Sequence, residues 1–508
     1  MRMAILGLDV GTSGCKATIV DLNGQVINQA SREYALLSSV PGWREIDPDT
    51  VWQAVQEAIK EATKPFTPVA PVRAIGISSF GETLVAIDEQ GRTLGPSMLY
   101  TDTRGQWETE QLIHDLGQEK ILSITGTTAQ SMYSLSKLMW IKKNKPELYA
   151  KTWKWLAFSD FILFRLGAGP YTDYSLATRT LAFDIHRKCW SEDMLGYAGI
   201  PKERFGEPVQ SGTVVGQLSS TIAKQLQLSE GAMLVAGGHD QVCAALGAGI
   251  LNPGVAVDGL GSTECVTPVF EQPILTSEMA VNGFACVPHV IPNRYVTYGF
   301  TFNCGSLLRW YREQFGVVAE EEAARTGANV YELIIRQASR TPSPLLLLPH
   351  FSGAATPYMN PSAYGLLVGL SLTTNQSDII RALLEGITFE IMVNVEKMEQ
   401  QGIIINELRA VGGLARSEFY LQLKADMMGK TVISLQTSEA GTLGAVALAG
   451  KASGCFSSYE EAVGQLVVTK RRYEPDPANR AWYAQRFEQY KRLYPAVQFI
   501  GSNYEISH

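Results

Sequence analysis

The chain has 508 residues, 45% hydrophobic and 18% charged, with a formal net charge of −7. That size and balance exclude extensive disorder and allow roughly two to three domains with cores of their own, of which two are expected. An acidic balance without any Lys/Arg run argues against nucleic acid or an anionic membrane surface as the partner, and leaves a small molecule.

The apolar opening meets Asp9 too soon for a signal peptide, and no apolar run approaches the ~20 residues of a membrane helix, so a cytoplasmic protein is expected. Seven cysteines, an odd number thinly spread, are expected to be reduced. Cys286-x-x-His289 has no second pair at zinc-finger spacing and reads as a small buried thiol beside a loop histidine.

In chain order, residues 4–8, 17–20 and 25–28 predict a β-meander, its second turn marked by Asn23-Gly24, where both residues tolerate positive φ. Asp47 and Pro48 suit the N-cap and first position of a helix whose Val51, Trp52, Val55 and Ile59 share one face. Residues 73–78 and 84–88 return to strand. Past residue 240 the opening grammar recurs: the strand-like 255–258 runs into Gly259-Leu260-Gly261-Ser262-Thr263, as residues 6–10 run into Gly11-Thr12-Ser13. A duplicated α/β unit, with one glycine turn from each half facing a shared cleft, accounts for the echo. A helix over 378–398, a buried strand over 408–411 and a helix over 417–428 stopped by Gly429 follow.

Three glycine turns carry candidate chemistry. In Asp9-Val10-Gly11-Thr12-Ser13-Gly14-Cys15-Lys16, backbone amides, hydroxyls and Lys16 suit a phosphate, and Asp9 offers the hard oxygen that Mg²⁺ takes. The alternative is a structural hairpin with a polar tip. Gly237-Gly238-His239-Asp240-Gln241 puts a carboxylate at a strand end, where it can accept the proton of an attacking hydroxyl or merely cap a helix. Gly412-Gly413 before a helix suits a nucleoside or β-phosphate, or is a plain strand-to-helix loop.

Residues 132–144, Met-Tyr-Ser-Leu-Ser-Lys-Leu-Met-Trp-Ile-Lys-Lys-Asn, resemble the first signature of the FGGY family of carbohydrate kinases. Residues 411–419 with Gln422, Ala425 and Asp426 resemble the second, and residues 353–370 resemble the family's Thr-Pro…Gly…Gly-Leu segment. The likeness runs through essentially the whole chain.

The resemblance implies an α/β protein of two actin/hexokinase/Hsp70-like (ribonuclease H-like) domains, each on a mixed five-stranded sheet. Residues 1–247 would bind the sugar and supply the base, residues 248–508 would bind nucleotide, and an interdomain cleft would close on MgATP and sugar. It implies Asp240 as general base and Asp9 as the magnesium ligand. Thr12, Ser13 and Lys16 would hold the γ-phosphate region, and Gly261, Ser262, Gly305, Gly412, Gly413 and Ser417 the nucleotide. Homodimers are common in such a family.

Specificity in the family is read largely from the loop after strand 73–78, here Ser79-Phe80-Gly81-Glu82. It lacks the Gln-Met-His-Gly typical of xylulose kinases. Its Phe-Gly resembles fuculokinases, and Glu82 aligns with a polyol-binding glutamate of glycerol kinases whose neighbouring arginine is Gly81 here. Tyr100-Thr101-Asp102-Thr103-Arg104 resembles the Trp-x-Asp-x-Arg of ketose kinases, and Met132 takes a substrate-wall position.

The expected sugar-binding set is therefore Gly81, Glu82, Tyr100, Asp102, Met132, Asp240 and Gln241. A carboxylate such as Glu82 accepts from two adjacent hydroxyls and disfavours an acidic sugar; the alternative is a solvated loop charge. A pentulose or other ketose ranks first, a deoxy-hexulose second, a polyol such as glycerol or erythritol third. An actin- or Hsp70-like ATPase switch and a catalytically silent sugar-binding regulator are the rival classes.

Overall fold

The computed structural model describes residues 3–66, 69–436 and 439–501, and folds them into two α/β halves, each on one mixed sheet. In the first half Ala4–Val10 pairs antiparallel with Gly14–Asp21 and parallel with Val72–Ser79, giving the order Val214–Gln217, Met233–His239, Val72–Ser79, Ala4–Val10, Gly14–Asp21, Val26–Glu33. In the second half Gly254–Leu260 repeats the pattern, antiparallel to Glu264–Phe270 and parallel to Ile405–Val411. The short textual echo is thus a topological one, a hairpin joined on its first strand to a parallel third. The strand carrying Asp9 and the strand that ends one residue before Asp240 are buried along most of their length, as strands covered on both faces must be.

Among the described residues the sheets hold six and eight strands, not the five each that the resemblance implies. A five-stranded centre is present in both. Val214–Gln217 adds an edge to the first, and Val287–Pro288, Tyr295–Val296 and Gly299–Thr301, all three residues or shorter, extend the second. Strands that short carry too little alternation to announce themselves in a sequence.

The first helix begins as its residues dictate: the Asp47 carboxylate accepts from the Thr50 amide at 3.1 Å and Pro48 opens the first turn. Ser417 likewise caps Glu418–Met428, which ends on Gly429 at φ 62°. The halves meet through two helices, Asp240–Gly247 and Ala440–Ala452. Their backbones nearly touch: a Cβ on Gly247 would lie 1.8 Å from the carbonyl oxygen of Ala440, and one on Gly444 1.9 Å from that of Cys243. Although it comes late in the chain, Ala440–Ala452 also packs on Ala4–Val10 and Val72–Ser79 of the first sheet.

Among the described residues no helix is long and apolar enough to cross a membrane, and no group of three or more His, Cys, Asp or Glu is placed to hold a metal. All seven cysteines are free, and Cys286 and His289 are both buried.

Candidate active site

A cavity of about 240 Å³ lies between the halves, walled by Gly81, Glu82, Tyr100, Met132, Asp240 and Gln241 on one side and by Thr263, Tyr298, Phe300 and Met359 on the other. Six of the seven expected sugar-binding residues therefore meet in one place. Asp102 does not line this cavity. Its buried carboxylate takes the Arg104 guanidinium at 2.6 and 2.8 Å and the Arg44 amide at 2.8 Å, and Arg104 continues to Glu45 at 2.7 Å and stacks 3.8 Å from the Trp43 ring. Those contacts tie the loop behind Tyr100 in place.

The helix Ser134–Asn144, which carries the first signature, supports this wall. Ser134 donates its hydroxyl to the Glu82 carbonyl at 2.7 Å, and Lys137 donates its ammonium to the carbonyls of Ser131 and, at 3.2 Å, Met132. Burial pushes the Lys137 amine down to about 8. Glu82 itself stands at φ 61°, in the left-handed region. Its carboxylate is buried and ion-paired with Arg179, which overturns the alternative of a solvated loop charge.

Asp240 opens its helix at the cavity wall, its side chain 35% exposed. Burial pushes its carboxyl up to about 7, helped by the charges of Asp9 and Glu82 and opposed by the Gln241 amide and Arg179. The adjacent His239 ring is 3.3 Å away, but burial holds it well below the usual histidine range, so it is neutral at pH 7. A carboxyl poised near neutrality, facing a cavity, has the proton affinity a general base requires.

A second cavity, of about 370 Å³, is lined by Gly261, Ser262, Gly305, Gly413 and Ser417, with Tyr331, Arg309 and Arg416. Five of the six residues expected at the nucleotide from this half thus converge. Gly412 is outside that lining and acts from behind. At φ 98°, a Cβ there would stand 2.6 Å from the Leu260 carbonyl oxygen, so glycine lets strands 254–260 and 405–411 stay close while Gly413 faces open space.

The turn Gly261-Ser262-Thr263 joins the two cavities, Ser262 lining one and Thr263 the other. Its carbonyls take the first amides of the helix Gly305–Phe315: Gly305 donates to Gly261 at 2.9 Å, and the Ser306 amide and hydroxyl donate to Ser262 at 3.1 and 2.9 Å. Beneath the turn, fully buried Lys424 pairs with Asp258 at 2.8 Å and with Glu264. Burial pushes Glu264 up to about 8, opposed by the Lys424 charge and reinforced by Asp258.

Asp9 sits near the end of its strand with its pKa raised, chiefly by burial and further by the charge of Glu439. Gly441 leaves both carboxylate oxygens uncovered, since a Cβ there would come within 3.3 Å of each. Thr12 and Ser13 form the tip of the neighbouring turn, closed by the Gly11 amide donating to the Gly14 carbonyl at 2.9 Å, and line neither cavity. Lys16 lies across from Glu439 and is ion-paired to it.

Sequence reasoning missed Arg179, Tyr298, Phe300 and Met359 in the first cavity. Arg179 had a signal: a lone charge in the run Ser175-Leu176-Ala177-Thr178-Arg179-Thr180-Leu181-Ala182, where arginine needs a buried partner. The other three are apolar or aromatic residues of the second half, with nothing local to tell a cavity wall from a core.

Residues 4–247 match the N-terminal domain of the FGGY family of carbohydrate kinases, and residues 259–453 match its C-terminal domain. The chain is 30% identical over 503 residues to a xylulose kinase of Bacillus subtilis, covering 98% of each. A gluconokinase of the same organism is 27% identical over 479 residues, 94% of this chain and 92% of that protein. Among solved structures, a ligand-bound xylulose kinase from Lactobacillus acidophilus superposes with a TM-score of 0.89 at 24% identity, 98% of each chain being covered. The match of both domains, on a chain whose two cavities meet at one glycine turn, places this protein in the FGGY family of carbohydrate kinases.

Proposed function

We propose that the protein transfers the terminal phosphate of ATP to a hydroxyl of a small ketose, with a xylulose-like pentulose favoured. The observation that carries the reading is the joint between the cavities. Asp240 faces the smaller one, and the turn at residues 261–263 leads from there into the larger.

In this reading the sugar rests against Glu82, Tyr100, Met132 and Gln241, and Asp240 takes the proton of its attacking hydroxyl. The nucleoside lies against Gly305, Gly413 and Ser417, with its phosphates passing over Ser262 toward Thr12, Ser13 and Lys16. Asp9, half-buried and uncovered on the Gly441 side, fits Mg²⁺ held mainly through water and phosphate oxygens, which would supply charge neutralisation. The protein's own share is positioning, proton acceptance at Asp240 and exclusion of water when the halves close.

A second reading, a deoxy-hexulose, is favoured by one feature: the wall from the second half offers Ala285, Tyr298, Phe300 and Met359, a surface suited to a methyl group. Gluconate is disfavoured, because Asp240 faces the cavity and Arg179, the cation among its described lining residues, is already paired with Glu82. ADP release with MgATP across xylulose, ribulose, fuculose, rhamnulose, erythritol, glycerol and gluconate tests all of these. Sugar-independent release alone would instead favour an ATPase switch.

A further inference from the structure

The space that Gly81 leaves empty is filled from another part of the chain. A Cβ on Gly81 would stand 2.9 Å from Cδ2 of the His239 ring and 3.1 and 3.3 Å from Cγ and Cβ of Arg179, so any larger residue at 81 competes with both the ring and the arginine stem for one volume. Arg179 follows the short helix Tyr174–Thr178 and is 7% exposed. Its guanidinium lies 5.0 Å from the Tyr133 ring of the first half and 5.7 Å from the Tyr298 ring of the second. Through Nε and Nη2 it meets Oε1 of Glu82, and no described residue bonds the other carboxylate oxygen.

We propose that Arg179 is the specificity-determining residue of the sugar cavity, forming with Glu82 a combined donor and acceptor edge that selects a vicinal diol of the substrate, and that Gly81 is glycine to admit it. The proposal rests on the ketose-kinase reading above. A carboxylate alone can only accept hydrogen bonds, whereas each hydroxyl of a diol both donates and accepts; a guanidinium beside the carboxylate supplies the missing donors. The opposite charges also offset one another, which leaves an edge suited to an uncharged sugar.

The test is steady-state kinetics on Arg179→Gln, Arg179→Lys, Gly81→Ala and the double variant Arg179→Gln/Glu82→Gln, with a thermal melt of each. Arg179→Gln is expected to raise the sugar KM about ten- to hundredfold while the ATP KM stays within about twofold. Arg179→Lys should fall between, and Gly81→Ala should raise the sugar KM in the same direction by crowding the stem and the neighbouring His239 ring. The double variant leaves no buried charge unpaired, so it should recover the melting temperature yet keep the high sugar KM. Recovery of the sugar KM together with the melting temperature, or a single variant that leaves the sugar KM unchanged or raises both KM values alike, overturns the proposal and leaves the kinase reading standing. A wild-type chain that phosphorylates no ketose overturns the kinase reading, and this proposal with it.

Discussion

Replacing Asp240 by asparagine separates chemistry from folding. Burial, with the charges of Asp9 and Glu82, carries this carboxyl from 3.8 to about 7. At about 1.4 kcal/mol per unit this sets a ceiling of about 4 kcal/mol on what keeping the group charged costs the native state. The side chain is 35% exposed, so solvent screening reduces the figure to about 1–2 kcal/mol. Because the folded pKa is raised, the favourable contribution is fully present below 3.8 and is lost as the pH climbs through about 7. The Asp240→Asn variant has no such loss, so it should melt about 2–6 °C above wild type at pH 8 and level with it near pH 4. Turnover should fall about 10²- to 10⁴-fold, with nucleotide binding retained. In wild type, kcat/KM should decline on the acid side with a midpoint near the 7 of the free carboxyl. Differential scanning fluorimetry at the two pH values and coupled ADP release are the assays. A variant less stable than wild type at pH 8, or one with near-normal kcat, refutes the reasoning.

Lys424→Met strips the cation from Asp258 and Glu264 at full burial, and should destabilise the protein by about 3–5 kcal/mol, lowering the melting temperature by about 10 °C; an unchanged melt would mean the cluster relaxes to a neutral form without cost. Glu82→Gln should raise the sugar KM with the ATP KM unaltered, measured by sugar titration at saturating ATP. The adjacent glycines should part company: Gly412→Ala is expected to lose stability in a melt, since φ 98° and the Leu260 carbonyl both resist a Cβ, whereas Gly413→Ala should fold normally and raise only the ATP KM.

What could be read without coordinates followed from local chemistry. The meander, the Asp47-Pro48 helix start and the Ser417 to Gly429 helix rest on contacts a few residues apart, and they stand where the pattern puts them. The convergence of Glu82, Met132 and Asp240 came from motif order, and the structure supplies its mechanical reason in Ser134 and Lys137, which hold the two loops from one helix. Asp102 lies outside the cavity lining and pairs with Arg104 instead, a difference the sequence does not carry, because an Asp-x-Arg pair looks alike whether it faces a ligand or closes on itself. Arg179 escaped because its partner is 97 residues away, and no periodicity carries that information. The edge strands of both sheets escaped for a different reason, being shorter than any alternation that could mark them.

The contact between helices Asp240–Gly247 and Ala440–Ala452 bears on how this protein can change. Where carbonyl oxygens fill the places that side chains would take at Gly247 and Gly444, there are no rotamers to rearrange and no volume to trade. Drift in sequence must therefore flow around this joint, through walls such as Met132, Phe300 and Met359, whose replacement reshapes the space for a sugar without touching the joint itself. A library aimed at new substrates should place its diversity on those walls and hold the joint constant, because the same bare backbone that lets two bodies lie so close leaves selection almost nothing there to vary.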